Sequence, residues 1–566
     1  MSQVNNTVLE EIFKVKQVEY PPESLRGILQ TKNYDTFEIY SDTGYLLHQF
    51  KGAKLANKCL PGDHVEWING QCLLELRDDY PPIVGTIELT NKSKYGLTSR
   101  GIPIYLFTPY NKSYPHFIVG CSEKDVSRNM IALIAFGDWN MKSKSGTFPR
   151  GLLKQIIGPS GDYDAEKQAL IWQSCPYLYP KFDYCPTLSV ETTRVALSGF
   201  TFNIDPPGCK DVDDVFTFEP ISENQWIVTI TISDVACYVE DCSAVDIMAS
   251  LIGQTLYDNK GAIIRPMLPA AFSEKVCSLL PGKESNGVSL QFRWTGKEIR
   301  DILWFESRLE TNKSYSYEEF QTADTSYKQP LADIASYLAK EIITDSHKWV
   351  EQMMIFYNKE AGRKLKDAGQ GILRKHSEPN MERLERFKQC ATVDLEKLAY
   401  SSAEYCLADD INTVHYGLNS ATYAHTTSPI RRYADLVNQR ILKQLICNQT
   451  CAYIIPQTMY DMNRREKAIK HFARDLDFLE AVLSGIQTKG IILEKIKQDT
   501  HYKIILYIPE WKRTISTNYK YLSENSVLSR DETICIDITL FREVNVQYTY
   551  NMNARNWKER MVIHFA

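Results

Sequence analysis

Four aspartates, Asp205, Asp211, Asp213 and Asp214, fall within ten residues of the segment FNIDPPGCKDVDDVF. Pro206, Pro207 and Gly208 exclude a helix there, so the chain must turn and extend again, which can return Asp205 to the side of the DVDD stretch. Two unit negative charges about 4 Å apart repel by about 4 kcal/mol at an effective dielectric of about 20, so four of them in a partly buried turn need cations. An oxygen-only ligand set, without His or Cys, favours Mg²⁺ or Mn²⁺ over zinc. A calcium-binding EF-hand loop is excluded, because its Gly and Glu positions, counted from Asp205, hold Lys210 and Phe216. The plain alternative is a solvated acidic loop. The apolar flanks Phe202, Ile204, Val212, Val215 and Phe216 argue for an interior position instead.

The second chemical segment is YAHTTSPIRRYADLVNQR, residues 423–440. Ser428 before Pro429 predicts a helix start, and Ile430, Tyr433, Ala434, Val437 and Ile441 mark one apolar face at helical spacing. Arg431 would then lie in the first turn, off that face, where free amides favour an anion and a guanidinium suits bidentate phosphate contact. Its alternative is an i, i+4 pair with Asp435, worth roughly a few tenths of a kcal/mol. From Arg431 to Asp475 there are nine basic and four acidic residues, in a chain whose net charge is -5. A local basic strip is expected there, because the chain as a whole is not a cationic nucleic-acid coat.

The elements that must position these residues come in two patterns. Short period-two segments broken by Gly, Asn and Asp predict small antiparallel barrels over residues 1–82 and 83–160, and again over 487–566. Residues 161–199 read as a connector, and 200–486 as one continuous mixed region with strands (WIVTITISDVACYV) and helices (SHKWVEQMMIFYNKEAGRKL). The fold class expected is multidomain α+β, a mixed α/β core flanked by two N-terminal and one C-terminal OB-fold β-barrels. With 43% hydrophobic and 24% charged residues the composition is that of a folded protein, not a disordered or fibrous one. The 14 cysteines include no CxxC pair, which excludes a zinc ribbon and predicts reduced thiols. The first residues, MSQVNNTVLEEIFKVKQ, lack the pattern of a signal peptide, and no long uncharged apolar run occurs. An intracellular, soluble protein without a membrane partner is expected, cytoplasmic in the first instance, with nucleus, organelle or viral compartment as the other options. Together these features point to phosphodiester chemistry on single-stranded nucleic acid.

IDPPGCKDVDDVF, ISDVACYVEDCSAVD, IRPMLPAAFSEKVCSLLPG and HTTSPIRRYADLVNQR, in this order, resemble the catalytic domain of the RNase II/RNase R (RNB) exoribonuclease family, and the DPPGC form is most similar to its eukaryotic exosome-associated branch. FPRGLLKQIIGPSGDYDAEKQAL is similar to the end of the family's second cold-shock barrel. The resemblance implies a 3′→5′ exoribonuclease that threads single-stranded RNA into a channel and releases nucleoside 5′-monophosphates, using two Mg²⁺ ions, with Mn²⁺ as a substitute. It implies Asp205, Asp211, Asp213 and Asp214 as metal ligands, with Asp213, Asp214 and Arg431 as catalytic residues. By the same resemblance Tyr257 stacks on a base, Glu351 and Asn358 face the last nucleotides, and Arg432 binds RNA. A monomer recruited into an RNA-decay complex, without a PIN-type endonuclease domain, is also implied. The sequence departs from the family at Cys237 and Gln439, where His is usual, at Thr426, where Phe is usual, and in a short stretch between Phe320 and His347, so the second stacking aromatic is not placed. A non-catalytic RNA-binding or scaffold protein of the same fold, and a DNA exonuclease, are the competing readings.

Overall fold

The structure is a computed structural model. It describes residues 24–565 apart from 43, 92–94, 140–147, 180–185, 187–190, 391–394, 450–452, 454, 456, 484–486, 529–534, 553 and 556. The N-terminal stretch read above as lacking a signal peptide, and much of the second half of the connector, lie outside the described residues. The chain divides into two compact units, Met1–Pro159 and Ser160–Ala566.

The first unit contains two β-modules. Strands Leu25–Thr31, Thr36–Tyr40, Leu46–Lys51, His64–Ile68 and Gln71–Leu76 form an antiparallel sheet with Leu25–Thr31 at its centre. Alternation buries Leu29, Phe37, Ile39, Val65 and Cys72 on one side. Phe50 and Trp67 stack at 4.5 Å although their strands are not neighbours, so the sheet curls over this core. The second module, Ile83–Ile87, Ile104–Pro109, Phe117–Gly120, Met130–Asp138 and Arg150–Pro159, is a closed barrel. A short parallel pairing of its last strand with Phe117–Gly120 closes it and leaves no edge.

The second unit is built on a seven-stranded sheet in the order Val195–Ala196, Ile299–Glu310, Glu284–Trp294, Gln225–Ser233, Asp214–Ser222, Phe200–Ile204, Lys313–Tyr315. Its central strand, QWIVTITIS, alternates Val and Ile with Thr and Ser, and both faces are buried. One face carries Val228, Ile230, Ile232, Phe216 and Phe218 against helices Lys328–Ala339 and Ser346–Ala368. The Phe202 ring stacks on Tyr327 at 4.5 Å and lies 5.4 Å from Phe320. Each such aromatic contributes roughly 1.5–3 kcal/mol by burial. The opposite face is a row of small hydroxyls that satisfy one another: Thr231 to Ser289 and Ser289 to Ser307, both at 2.7 Å, and Thr201 to Thr217 at 2.8 Å. Small residues on that face leave room for helix Tyr433–Ile446, whose Gln439 amide donates to the Ser233 carbonyl at 2.7 Å.

Helix Tyr163–Ser174, inside the expected connector, belongs to this unit and lies along helix Met459–Leu483, with the Tyr163 hydroxyl donating to Glu480 at 2.8 Å. The C-terminal strands form a seven-stranded ladder from Cys535–Asp537 through Thr488–Lys497 to Met561–Phe565. Glu166 of the first of these helices, fully buried, pairs with the equally buried Arg560 and accepts from the Gly161 amide at 2.8 Å. Removing one member of such a pair leaves the other charged and unpaired. Glu166→Ala is therefore expected to cost about 3–5 kcal/mol of local stability, read as faster amide hydrogen exchange in both Tyr163–Ser174 and Met561–Phe565.

Candidate active site

The acidic segment connects two neighbouring antiparallel strands, Phe200–Ile204 and Asp214–Ser222, so its two ends meet at one edge of the core sheet. The turn is made as the prolines require, with the Cys209 amide bonded to the Pro206 carbonyl and Gly208 at φ 79°. Val212 anchors the return. It is fully buried, its amide donates to the Ser278 hydroxyl at 3.1 Å, and its carbonyl accepts from Leu279. The solvated-loop alternative does not describe this segment.

Three of the four aspartates have partners, each a different one. Asp213, 4% exposed, accepts from the Ile430 amide at 3.0 Å and from Arg431 Nε at 3.1 Å. Asp205 accepts from the Asn203 amide at 2.8 Å. Asp211 receives the Tyr257 hydroxyl at 3.2 Å. Asp214 accepts no hydrogen bond among the described residues. Burial pushes the Asp213 carboxyl up to about 7, against the opposing effects of Arg431 and the Ile430 amide. Burial and then Asp205 and Asp213 hold Asp214 well above the usual carboxylate range. Burial also raises Asp205, with a further contribution from Asp211. Burial raises the Cys209 thiol as well, followed by Asp205 and Asp211. Burial thus disfavours the charged forms of Asp205, Asp213 and Asp214, which a counter-ion would relieve.

The residues fit a hard cation at one place and not at another. Asp214, with no protein donor, and the neighbouring Asp205 form an oxygen-only pair whose mutual repulsion a divalent ion would relieve. Asp213 is otherwise engaged, with both oxygens on the chain segment around Arg431. Among the described residues no three His, Cys, Asp or Glu side chains are placed to hold one ion. Of the four aspartates expected to hold two ions, Asp213 is the one whose two oxygens already have protein partners, because a buried carboxylate next to an arginine pairs with it.

Arg431 does not lie in a helix. Residues 428–432 form a tight turn, with the Arg431 and Arg432 amides both on the Ser428 carbonyl, and the helix starts at Tyr433. The Ser428–Pro429 signal marks this turn instead, and the Ser428 amide is capped from within the helix by Asp435 at 2.8 Å. Asp435 also pairs with Arg432 at 2.8 Å, so the ion pair considered as the alternative for Arg431 forms one residue later and Arg432 braces the turn. The turn is further held by backbone bonds from Thr255 to Arg431 and from Tyr433 to Gly253.

Asn358 is likewise corrected. It is 3% exposed, its oxygen accepts from the Thr426 amide and hydroxyl at 2.9 and 2.8 Å, and its nitrogen donates to Tyr423 and Thr427. It holds the extended segment leading to Arg431, and Gly362, one turn on, lets that segment approach: a Cβ there would lie 3.0 Å from the Tyr423 and Ala424 backbone. Glu351, seven residues before Asn358, is exposed and paired with Lys348 at 2.6 Å. Tyr257 is brought to the cluster, by its hydroxyl. The sequence reading missed Asn438, which bonds the Ile372 amide and carbonyl and the His425 carbonyl, and Asp234, a fully buried acid shared by Arg194 and Lys443 at 2.7 and 2.6 Å. Polar side chains on the inward face of an amphipathic helix were the available signal for Asn438 and Lys443. Of the departures from the family, Thr426 bonds Asn358, Gln439 clamps the Ala236 amide and Ser233 carbonyl, and Cys237 caps its own turn through the Asp234 carbonyl.

The basic strip dissolves into pairs. Arg440 is held by Asp246, Lys443 by Asp234 and Glu306, Arg464 by Asp461, Lys467 by Glu404 and Lys470 by Glu466. Most of these acids come from distant sequence, which is why the local charge count misled.

A mixed core sheet with an acidic turn at its edge, an arginine turn docked against that acid, and β-modules on the same chain define an architecture of several domains. The chain carries an RNB domain, matched over residues 196–342 and 326–448, and a Dis3-like cold-shock domain 2 (CSD2), matched over 104–174. Among curated relatives, the probable exosome complex exonuclease RRP44 of Caenorhabditis elegans is 23% identical over 72% of this chain and 54% of its own length. Ribonuclease R of Helicobacter pylori is 23% identical over 53% of this chain and 58% of its own. The chain thus spans about half the length of the curated relatives it matches. In fold it is similar to Mycoplasma genitalium RNase R in complex with ribose methylated single-stranded RNA, with TM-score 0.68, 16% identity, and coverage of 96% of this chain and 100% of that one. It is also similar to yeast Ssd1, a pseudonuclease, with TM-score 0.63, 17% identity, and coverage of 97% and 83%. Among the described residues no helix is long and apolar enough to cross a membrane.

Two predictions follow from this packing. Asn358→Ala should lower stability by about 1–3 kcal/mol, since it orphans the buried donors and acceptors of the segment 423–427. A residue that only contacted RNA would leave thermal unfolding unchanged. The second concerns acid. Burial, then His376 and Arg374, bring His415 down to about 4, and burial, then Arg432 and Arg374, hold His425 well below its ordinary value. Their unfolded forms take up protons near 6.5 while the folded ones do not, so this stability is present above that pH and is lost as pH falls toward 4. Unfolding midpoints should drop between about pH 7 and 5, and His415→Asn should lessen that dependence, leaving the part due to His425.

Proposed function

We propose that the chain is a 3′→5′ exoribonuclease that hydrolyses single-stranded RNA to nucleoside 5′-monophosphates. The observation that carries this reading is the division of labour at Arg431. Nε is anchored on Asp213, while 41% of the side-chain surface stays open and the two terminal nitrogens have no acceptor among the described residues. A guanidinium fixed by one edge presents its other edge, already oriented, to a phosphate. Asp214 and Asp205 lie beside it as the open carboxylates, and Tyr257, tethered through Asp211, would bring an aromatic face to the terminal base. A Mg²⁺ ion, or Mn²⁺, held by Asp214 and Asp205 would polarise the scissile phosphate and lower the pKa of an attacking water. A second ion, with Asp211 among its ligands, belongs to the same reading.

In this assignment Asp213 is a positioning residue that holds Arg431, and Arg431 neutralises charge developing on the phosphoryl oxygens, an effect strengthened where water is excluded. Residues 200–486 are assigned to the catalytic domain and 1–82, 83–160 and 487–566 to RNA-binding β-modules. The RRP44 relatives, by name members of an exosome complex, support recruitment into an RNA-decay assembly, and RNA selection would act through the 2′-hydroxyl. The second reading, an inactive RNA-binding protein of this fold, is supported by the likeness to Ssd1 and by the engagement of Asp213.

Incubating 5′-labelled single-stranded RNA with Mg²⁺ separates the two. A ladder shortening from the 3′ end in the unaltered protein, absent in Asp214→Asn and slowed on the order of 10²–10³-fold in Arg431→Ala, is expected. RNA binding without shortening in any of them overturns the hydrolytic reading, and equal shortening of a DNA strand overturns the RNA specificity.

A further inference from the structure

Once the basic strip is resolved into ion pairs, two cations from 431–475, Arg465 and Arg474, remain without a carboxylate of their own among the described residues. Arg474 is exposed to water, whereas Arg465 is half-buried. Arg465 lies on helix Met459–Leu483 with its terminal nitrogen against the Ser250 carbonyl and its methylenes against Gly253, where a Cβ would meet Arg465 Cδ at 3.2 Å. The nearest acid that acts on it, Asp461, is already bonded to Thr458 and Arg464. A second arginine from a different part of the chain is in the same condition. Arg265 ends the two-stranded hairpin Leu256–Tyr257 with Ile263–Arg265, and its guanidinium carbon lies 5.4 Å from the centre of the Trp172 ring. Its Nε is buried with no acceptor among the described residues.

The two arginines share a neighbourhood. The hairpin that carries Arg265 reaches helix Met459–Leu483 through Asn259, whose amide donates to Glu480 at 2.7 Å, and Arg265 lies over Trp172 of helix Tyr163–Ser174, which is joined to the same Glu480 by Tyr163 at 2.8 Å. Neither side chain is sealed from solvent, since both residues are of intermediate exposure. Two guanidiniums kept partly out of water without acids form an incomplete electrostatic arrangement that an anion from outside would complete. Burial accordingly weakens the hold of both on their protons. The like charges of Arg265 and Arg465 disfavour a further cation there and favour an anion.

We propose that Arg265 and Arg465 form a phosphate-binding site between helix Tyr163–Ser174, the Tyr257 hairpin and helix Met459–Leu483, filled by a phosphodiester of RNA or by the 5′-phosphate of a mononucleotide. The anion site stands on the arginines themselves; that the phosphate belongs to RNA or its product rests on the function proposed above. The hairpin connects it to the acidic turn, because Tyr257, one residue from the Arg265 partner Leu256, bonds Asp211. An occupied site would therefore bias the position of that tyrosine.

The test uses the full chain without divalent ions, so that binding is read apart from hydrolysis. A fluorescent single-stranded RNA and adenosine 5′-monophosphate are titrated separately against the unaltered protein and Arg265→Met/Arg465→Met. A five- to tenfold weaker RNA affinity, with the log-log salt slope reduced by about one, identifies a backbone phosphate. Loss of mononucleotide binding with RNA affinity unchanged identifies a product phosphate. A folded double variant unchanged in both titrations overturns the site. Should the double variant not fold, hydrogen exchange on the unaltered protein decides: slower exchange at residues 171–179 and 463–467 with either ligand supports the site, and no change with both overturns it. A protein that binds through this pair yet never shortens RNA retains the site and loses the hydrolytic reading, whereas hydrolysis with neither titration affected does the reverse.

Discussion

The carboxylate of Asp213 joins parts of the chain 217 residues apart, through the Ile430 amide, and the rest of the site is arranged around that junction. A carboxylate buried to this degree is costly unless it is paired and hydrogen-bonded. Here one oxygen takes a backbone amide and the other a guanidinium, so each partner removes part of the penalty of burying the other. The consequence reaches beyond stability. Arg431 is aimed by its Nε, Asp214 is pushed out of the pairing and left open, and the acidic turn and the arginine turn become one object.

Holding an irregular segment such as 423–432 in place requires partners for backbone groups that no helix or sheet supplies. The structure provides them from buried side chains on two helices. Asn358 and Gly362 on Ser346–Ala368 hold the approach to the turn, and Asp435, Asn438 and Gln439 on Tyr433–Ile446 hold the turn itself, a neighbouring strand and the segment after the core sheet. Because amides donate and accept at once, each one links two elements. This explains why positions that deviate from the family's usual residues, Thr426 and Gln439, still have defined hydrogen-bonding work in this chain.

Charge in this protein is distributed by pairing across long sequence distances. The carboxylates that neutralise the basic residues after Arg431 come mainly from residues 234–306 and 404, while local acids such as Asp435 and Asp461 take the nearer cations. A run of positive charge is therefore a poor guide to an anion site, and an individual cation left without an acid is a better one. The partly buried pair Arg265 and Arg465 meets that criterion, and Arg431, although held on Asp213 by one edge, keeps its outer edge open.

The amino-acid sequence by itself determined the core sheet, because Val–Thr–Ile–Thr–Ile–Ser alternation allows only a strand with two different buried faces. It also determined the acidic turn, since two prolines and a glycine between apolar runs permit little else, and it placed Tyr257 and Arg431 near that turn through the resemblance of ordered motifs. Tertiary structure alone decided what each residue does there. Pairing depends on which charge is nearest in space, so Asp213 became the anchor of Arg431, Arg432 the brace of Asp435, and Asn358 a buried clamp. The helix expected from Ser428 begins instead at Tyr433, because capping by Asp435 and docking against Gly253 and Thr255 outweigh the local preference of a Ser–Pro pair. Local propensities are worth roughly a kcal/mol or less, and a buried ion pair or an orphaned amide costs more than that, so long-range contacts settle the site wherever the two disagree.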